Sequence, residues 1–190
     1  IQNKNYSKYV KPTHKISVLK ARVYNFPNKN FKKNDLTFNS KIKVFAAKKN
    51  FLKFSNGWIL KKNVKTIRYK EKNPFRRVKI FKNIKYKWGG KSFKGIDCSA
   101  LVQVCLNFNN KYCPRDSKDQ VNFFKKNIEL RKIGKNNIIF WKGHVAIALS
   151  KYQLIHAYGP AKKTVVGNIV STIKKIKKTA NLDVIGIKKI

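Results

Sequence analysis

The chain has 190 residues, 42% hydrophobic and 13% aromatic, which is enough apolar surface for one or two small domains with their own cores and excludes global disorder. Its 46 Lys+Arg stand against 7 Asp+Glu, a formal net charge of +39. No apolar run approaches the ~18 residues of a membrane-spanning helix, and three cysteines (98, 105 and 113) without a Cys-x-x-Cys fit neither a paired disulfide framework nor a zinc site.

Charge of this size invites a polyanion partner. Only six of the basic residues are arginine, however, and the lysines are spread along the whole chain. Arginine is the better reader of phosphates and bases. The pattern therefore describes a cationic surface rather than a specific nucleic-acid site.

The opening stretch "IQNKNYSKYVKPTHKI" is polar and lacks the apolar segment of a signal peptide. With three unpaired cysteines this predicts a cytoplasmic protein; a periplasmic or secreted one would need a processed N-terminus. His14 reads as a surface residue of this tail.

From 14 to 68 the chain reads as short strands, "ISVLKARVYNF", "LTFNSKIKVFAAKKN", "FLKFS" and "GWILKKNVKTI". Alternation shows in Ile42-Val44-Ala46 and around Trp58-Leu60, with Pro27, Asn28, Asn34 and Gly57 as turn signals. Several short strands in close succession predict a small all-β barrel. The polar "YKEKNP" over 69–74 reads as a boundary.

Beyond it Asn73 is placed to cap a helix starting at Pro74, with Phe75, Val78 and Phe81 on one face and Asn83 as its left-handed end. The turn "YKWGGKSFKG" follows, then a helix from 98 to 109 with Leu101, Val104, Cys105 and Phe108 at 3.6-residue spacing. A short helix after Pro114 takes Asp116 or Ser117 as its cap. Strands are predicted at 137–141, 144–150 and 153–158, a lysine-rich helix at 169–178 and a last strand at 182–187. Helices first and a strand meander afterwards make an α+β domain from 74 to 190, preceded by the all-β domain at 14–68.

The chemistry concentrates at Cys98. Asp97 is a natural N-cap, which sets Cys98 in the first helical turn, where unpaired N–H groups and the helix dipole stabilise a thiolate and lower its pKa. Glycines 89, 90 and 95 let the backbone approach a ligand and leave the sulfur open. A nucleophile needs a base and the base an orienting group. His144 opens "GHVAIALS", where Val145, Ile147 and Leu149 face the core and His144 shares the other face with Ala146 and Ala148. His156 lies in "LIHAYG" on the neighbouring antiparallel strand, so both imidazoles can face the same helix start. On spacing alone a satisfied structural histidine competes with this reading. Cys105, on the apolar helix face, and Cys113, before Pro114, read as inert, and Trp88 and Gln103 as packing.

The words "YKWGGKSFKGIDCSALVQ", "CPRDSKDQ", "GHVAIAL" and "LIHAYG", in that order, resemble the NlpC family of papain-like cell-wall cysteine peptidases over residues 74–190. The segment 14–68, with "NGWIL", is similar to the bacterial SH3-like domain that often precedes that catalytic domain. The resemblance implies a papain-like fold, helices packed on an antiparallel sheet, after a small SH3-like barrel. It implies Cys98 as nucleophile, His144 as base, His156 as orienting residue, and Tyr86 assisting the oxyanion hole with the Cys98 N–H. Asp97, Ser99, Arg115, Asp116 and Ser117 match positions lining the substrate cleft. The implied substrate is a peptidoglycan stem peptide, cut between γ-D-glutamate and diaminopimelate or lysine by a monomer needing no metal or cofactor.

The sequence departs from that pattern. Ala100 stands where the family has glycine after Cys-Ser. Asn136 and Asn137 replace a Gly-Asp before the strand at 137–141, which predicts a looser turn. In relatives an acid and a tyrosine of the SH3-like domain hold the substrate's free amine; Ser40 and Ser55 stand near those positions, and Asp97 is the remaining candidate for that charge. Two rivals keep the same features: an amidase or acyl transferase with the same three residues, or a cationic module binding wall polymer or nucleic acid with the site unused.

Overall fold

In the computed structural model, residues 11–190 are described, so the polar stretch at 1–10, on which the reading of the N-terminus rests, lies outside them. Among the described residues no helix is long and apolar enough to cross a membrane. The chain divides into two compact units between Tyr69 and Lys70.

The first unit is all β: β1 (His14–Ile16), β2 (Lys20–Tyr24), β3 (Lys32–Thr37), β4 (Lys41–Ile42), β5 (Ala46–Lys48), β6 (Phe51–Phe54), β7 (Gly57–Leu60) and β8 (Val64–Thr66). They form antiparallel sheets of order β4-β1-β8 and β3-β2-β7-β6-β5. Ile16, Ala21, Val23, Ile42, Phe54, Ile59 and Val64 make the core. Trp58 and Leu60 sit opposite Ile59, in a second cluster with Tyr24 and Phe51, so β7 packs on both faces.

Three expectations fail here. Asn34 is not a turn residue but lies inside β3, an edge strand whose exposed first half hid it; the β2–β3 turn takes Pro27 and Asn28. The alternation Ile42-Val44-Ala46 does not run along one strand, because Ile42 pairs with His14 and exposed Ala46 with Lys53 in the other sheet. His14 is no tail residue: it sits in β1 between Ile42 and Thr66, next to wholly buried Lys15, whose ammonium donates to the Tyr69 carbonyl at 2.7 Å.

The second unit begins with Asn73 taking the Phe75 N–H in a turn, not a helix; a 3₁₀ turn then runs Val78–Phe81. Phe75, Val78 and Phe81 are buried as expected, and Asn83 is left-handed at φ 66°. A short hairpin, β9 (Lys91–Ser92) and β10 (Gly95–Ile96), leads into α1 (Cys98–Phe108), then α2 (Ser117–Phe123). After them come β11 (Ile138–Trp141), β12 (His144–Ala148), β13 (Gln153–Tyr158), β14 (Lys163–Asn168), α3 (Ile169–Ala180) and β15 (Val184–Lys188). The five strands form one antiparallel sheet, order β14-β13-β12-β11-β15. Helix α3 covers one face through Ile169 and Ile176, while α1 contacts β12 and β13. The chain is thus α+β, an all-β unit followed by helices on an antiparallel sheet.

The turn before β11 is tight rather than loose. Asn136 takes the left-handed conformation (φ 72°) that glycine would supply. Asn137 Oδ1 accepts the Gly134 N–H at 2.6 Å, as an aspartate would.

Candidate active site

Helix α1 starts where it does because Asp97, extended at φ −101°, ψ 176°, accepts the Ala100 N–H on Oδ1 at 2.8 Å. Cys98 is therefore the first helical residue. The backbone N–H groups of Val145, Ser99 and Cys98 itself favour the thiolate form. Cys98 is only 6% exposed as a residue, although it lines a cleft. Burial pushes its thiol up to about 11, the N–H groups pull it back and the Asp97 charge adds to the rise. The lowered pKa expected at a helix start is overturned by desolvation. Cys105 is pushed further up and Cys113 to about 12, both chiefly by burial.

Glycines 90 and 95 serve the hairpin, not a ligand. A Cβ on Gly90 would lie 2.6 Å from the Gly95 oxygen, and one on Gly95 2.5 Å from Lys87 Cβ. Gly89, at φ +73° with open space around it, donates its N–H to Asp97 Oδ2 at 2.8 Å. That bond ties the glycine turn to the helix cap.

Tyr86 is placed by backbone pairing. The N–H groups of Asn83 and Tyr86 donate to Thr164 and Lys162 carbonyls, and Thr164 N–H to the Ile84 carbonyl, so residues 83–86 run along the start of β14. The Tyr86 hydroxyl group's pKa is raised, first by burial and then by Cys98 and Asp97.

The histidines come together as spacing suggested. In the β12–β13 register Ile147 faces Ile155 and Ala148 faces Leu154, which sets His144 and His156 diagonally on one face. His144 Nε2 and His156 Nδ1 are 2.9 Å apart. His156 stacks on Tyr158 at 4.7 Å, and His144 lies against Trp141 and Tyr158. Burial pushes His144 down to about 4; burial, then the charges of His144 and Lys175, push His156 to about 3. Both are neutral at pH 7. Val145, the next residue after His144, is among the backbone groups that favour the Cys98 thiolate.

A cleft of about 510 Å³ is lined by Cys98 together with Tyr86, Trp88, Gly89, Asp97, Ser99, Arg115, Asp116, Ser117, Lys118 and Gly143. All five expected cleft residues line it. Asp97 is not available to a substrate amine, though. It is buried, and its two oxygens accept from Ala100, Ser99, Gly89 and both terminal nitrogens of Arg115, filling the roughly four lone-pair sites of a carboxylate. Asp116 occupies the cap position of α2 without a side-chain capping bond. Trp88 is not packing: 81% exposed, it stands in the cleft. Gln103 donates to the Cys113 carbonyl at 2.9 Å. Sequence reasoning missed Gln120, wholly buried, which donates to the carbonyls of Ser99 and Pro114 and braces α2 against the start of α1. Its spacing from Ser99, twenty-one residues, carries no local signal.

Residues 83–180 match the family model of the NlpC/P60 family. Dipeptidyl-peptidase 6 of Lysinibacillus sphaericus is 38% identical over 72 residues, 38% of this chain and 27% of that protein, so the chain spans about a quarter of this relative's length. An NlpC/P60 family protein from Bacillus cereus superimposes with a TM-score of 0.77 at 20% identity, covering 94% of this chain and 63% of that one, a likeness of fold through both units. The peptidoglycan hydrolase RipB of Mycobacterium tuberculosis gives a TM-score of 0.50 at 25% identity over 62% of each chain. With the family model matched across α1, α2 and the sheet up to α3, the chain belongs to the NlpC/P60 family of cysteine peptidases.

Proposed function

We propose that this chain hydrolyses peptidoglycan stem peptides with Cys98 as nucleophile, at the bond between γ-D-glutamate and a diamino acid, diaminopimelate or lysine. The observation that carries the reading is the pair of hydrogen-bonded histidines, 2.9 Å apart, on the two strands that contact α1, the helix that Cys98 begins. The names of the relatives, a dipeptidyl-peptidase and a peptidoglycan hydrolase, support the substrate class.

His144 Nε2 is engaged with His156, which leaves Nδ1 to take the thiol proton. That role requires the Nε2–H tautomer, donating to His156 Nδ1, and the same bond steadies the imidazolium once formed. With thiol and imidazole both neutral at rest, the proton moves from sulfur to Nδ1 as the sulfur attacks the amide carbon. The developing oxyanion is held by the Cys98 N–H and the Tyr86 hydroxyl. His144 then protonates the departing amine, the C–N bond breaks, and water attacks the thioester with His144 again as base.

Soluble stems with a free N-terminal L-alanine are the preferred form in this proposal, and a reducing compartment suits the three free cysteines. Mass spectrometry of defined muropeptides after incubation with the chain and with Cys98→Ala tests the bond. A cut elsewhere, or products with both proteins, refutes the assignment. Equal kcat/KM on L-Ala-γ-D-Glu-diaminopimelate and its N-acetylated form refutes the free-amine preference.

A further inference from the structure

We infer that Arg115 is a positioning residue, which locks the Asp97 cap from the following loop and cancels the carboxylate charge beside the Cys98 sulfur. Capping α1 takes one oxygen of Asp97, yet the residue is 5% exposed and carries a full charge next to a sulfur that must become an anion. A buried carboxylate without a cationic partner is costly. Arg115 supplies that partner with a two-pronged contact, Nη1 to Oδ1 at 3.0 Å and Nη2 to Oδ2 at 2.5 Å, and Nη1 also donates to Ser99 Oγ at 2.9 Å. Its loop is itself fixed, because Gln120 holds the Pro114 carbonyl together with that of Ser99.

The guanidinium lines the cleft, yet its two terminal nitrogens are engaged by Asp97 and Ser99. Its charge senses Asp97 first, and Asp116 and Cys98 as well, while the Asp97 charge works against the Cys98 thiolate. The other titratable groups lining the cleft are Tyr86 from the segment before β9, Asp116 and Lys118, and the pair His144 and His156 lies on the sheet strands that α1 contacts. None of them contacts the Asp97 carboxylate with a bond that could replace the arginine among the described residues.

The inference rests on Cys98 being the nucleophile, but its test needs no substrate. The pH dependence of iodoacetamide alkylation at Cys98 is followed in the whole chain by peptide mass spectrometry, alongside kcat and KM. Arg115→Gln is expected to raise the alkylation midpoint. Labelling at neutral pH should slow roughly tenfold for each pH unit the midpoint rises, since the thiolate is the reacting form. kcat should fall more than KM rises, and Arg115→Lys should keep part of the parent profile. Adding Asp97→Asn to Arg115→Gln, which retains a capping residue, should return the midpoint toward the parent. An unmoved midpoint with a raised KM would make Arg115 a substrate contact and overturn the inference; so would a double variant as displaced as the single. Should Arg115→Gln fail to fold, Asp97→Asn alone decides. It leaves an unopposed cation and must lower the midpoint; an unmoved or raised one refutes the inference.

Discussion

Cys98, Cys105 and Cys113 are all buried and all carry raised thiol pKa values, yet of the three only Cys98 lines the cleft, at a helix start. Cys98→Ala and Cys98→Ser should therefore lower kcat by on the order of 10⁴ or more with the fold intact. Cys105→Ala should keep kcat and lose about 1–2 kcal/mol of stability, as expected for a small cavity. Steady-state rates with thermal melts check both, and an inactive Cys105→Ala beside an active Cys98→Ala would reassign the nucleophile. The histidines should differ too. His144→Ala should approach the loss at Cys98, whereas His156→Ala, which removes only the partner of Nε2, should retain more rate. A milder loss at His144 would exchange the two roles.

At the scale of elements, the glycine turn and the helix start behave as one piece through the bond from Gly89 to Asp97. Gly90→Ala puts a Cβ 2.6 Å from one backbone oxygen and 2.9 Å from another, so the turn must open. The expected result is a loss of about 1–3 kcal/mol, the usual range for strain of this kind, and a reduced kcat. Gly134→Ala, whose nearest neighbour would be Asn137 Oδ1 at 3.7 Å, should leave both unchanged. Differential scanning calorimetry beside kcat separates the two variants. Helix α1 was legible in the sequence because its cap and its 3.6-residue apolar spacing are local, and so were the paired histidines, which follow from strand alternation. Strand β14 was not, since "KTVVGN" lacks a clean alternation and owes its place to backbone pairing with β13 along all six residues. The ion pair of Arg115 with Asp97 escaped for a similar reason: the partners lie eighteen positions apart and only the folded loop joins them. The helix expected at Pro74 became a turn and a single 3₁₀ segment, though the same three apolar residues were buried.

For the whole molecule, acid titration is concentrated in few groups. There are 7 acidic residues, and the three histidines all have lowered pKa values through burial. The folded chain holds His144 and His156 neutral, whereas the unfolded chain protonates them near the ordinary value of 6.5. The unfolded state thus binds more protons in acid, and stability present above about pH 6.5 is lost as the pH falls toward 4 and 3. At ~1.4 kcal/mol for each pH unit between the folded and unfolded values, His144 and His156 together should account for several kcal/mol. Urea unfolding at pH 7, 5 and 4 should show the fall, and a double His144→Gln, His156→Gln variant should show less of it; an unchanged slope would exclude these two as the source. The charge of +39 adds an expectation of its own: nucleic acid should bind weakly, without sequence preference, and release as salt rises. Filter binding across a salt series checks this, and a salt-resistant complex with one sequence would favour a nucleic-acid partner.

Buried Lys15 gives the first unit a built-in clock. Lysines crowd the surface of this chain, and an amine-acylating reagent will modify those within its reach quickly. Lys15, with its ammonium on the Tyr69 carbonyl and none of its surface exposed, can react only when β1 parts from its neighbours. Its labelling rate, read against the fast background by mass spectrometry, therefore counts openings of that sheet in the native protein. The chemistry that makes the rest of the molecule so readily tagged makes this one residue a timer of its fluctuations.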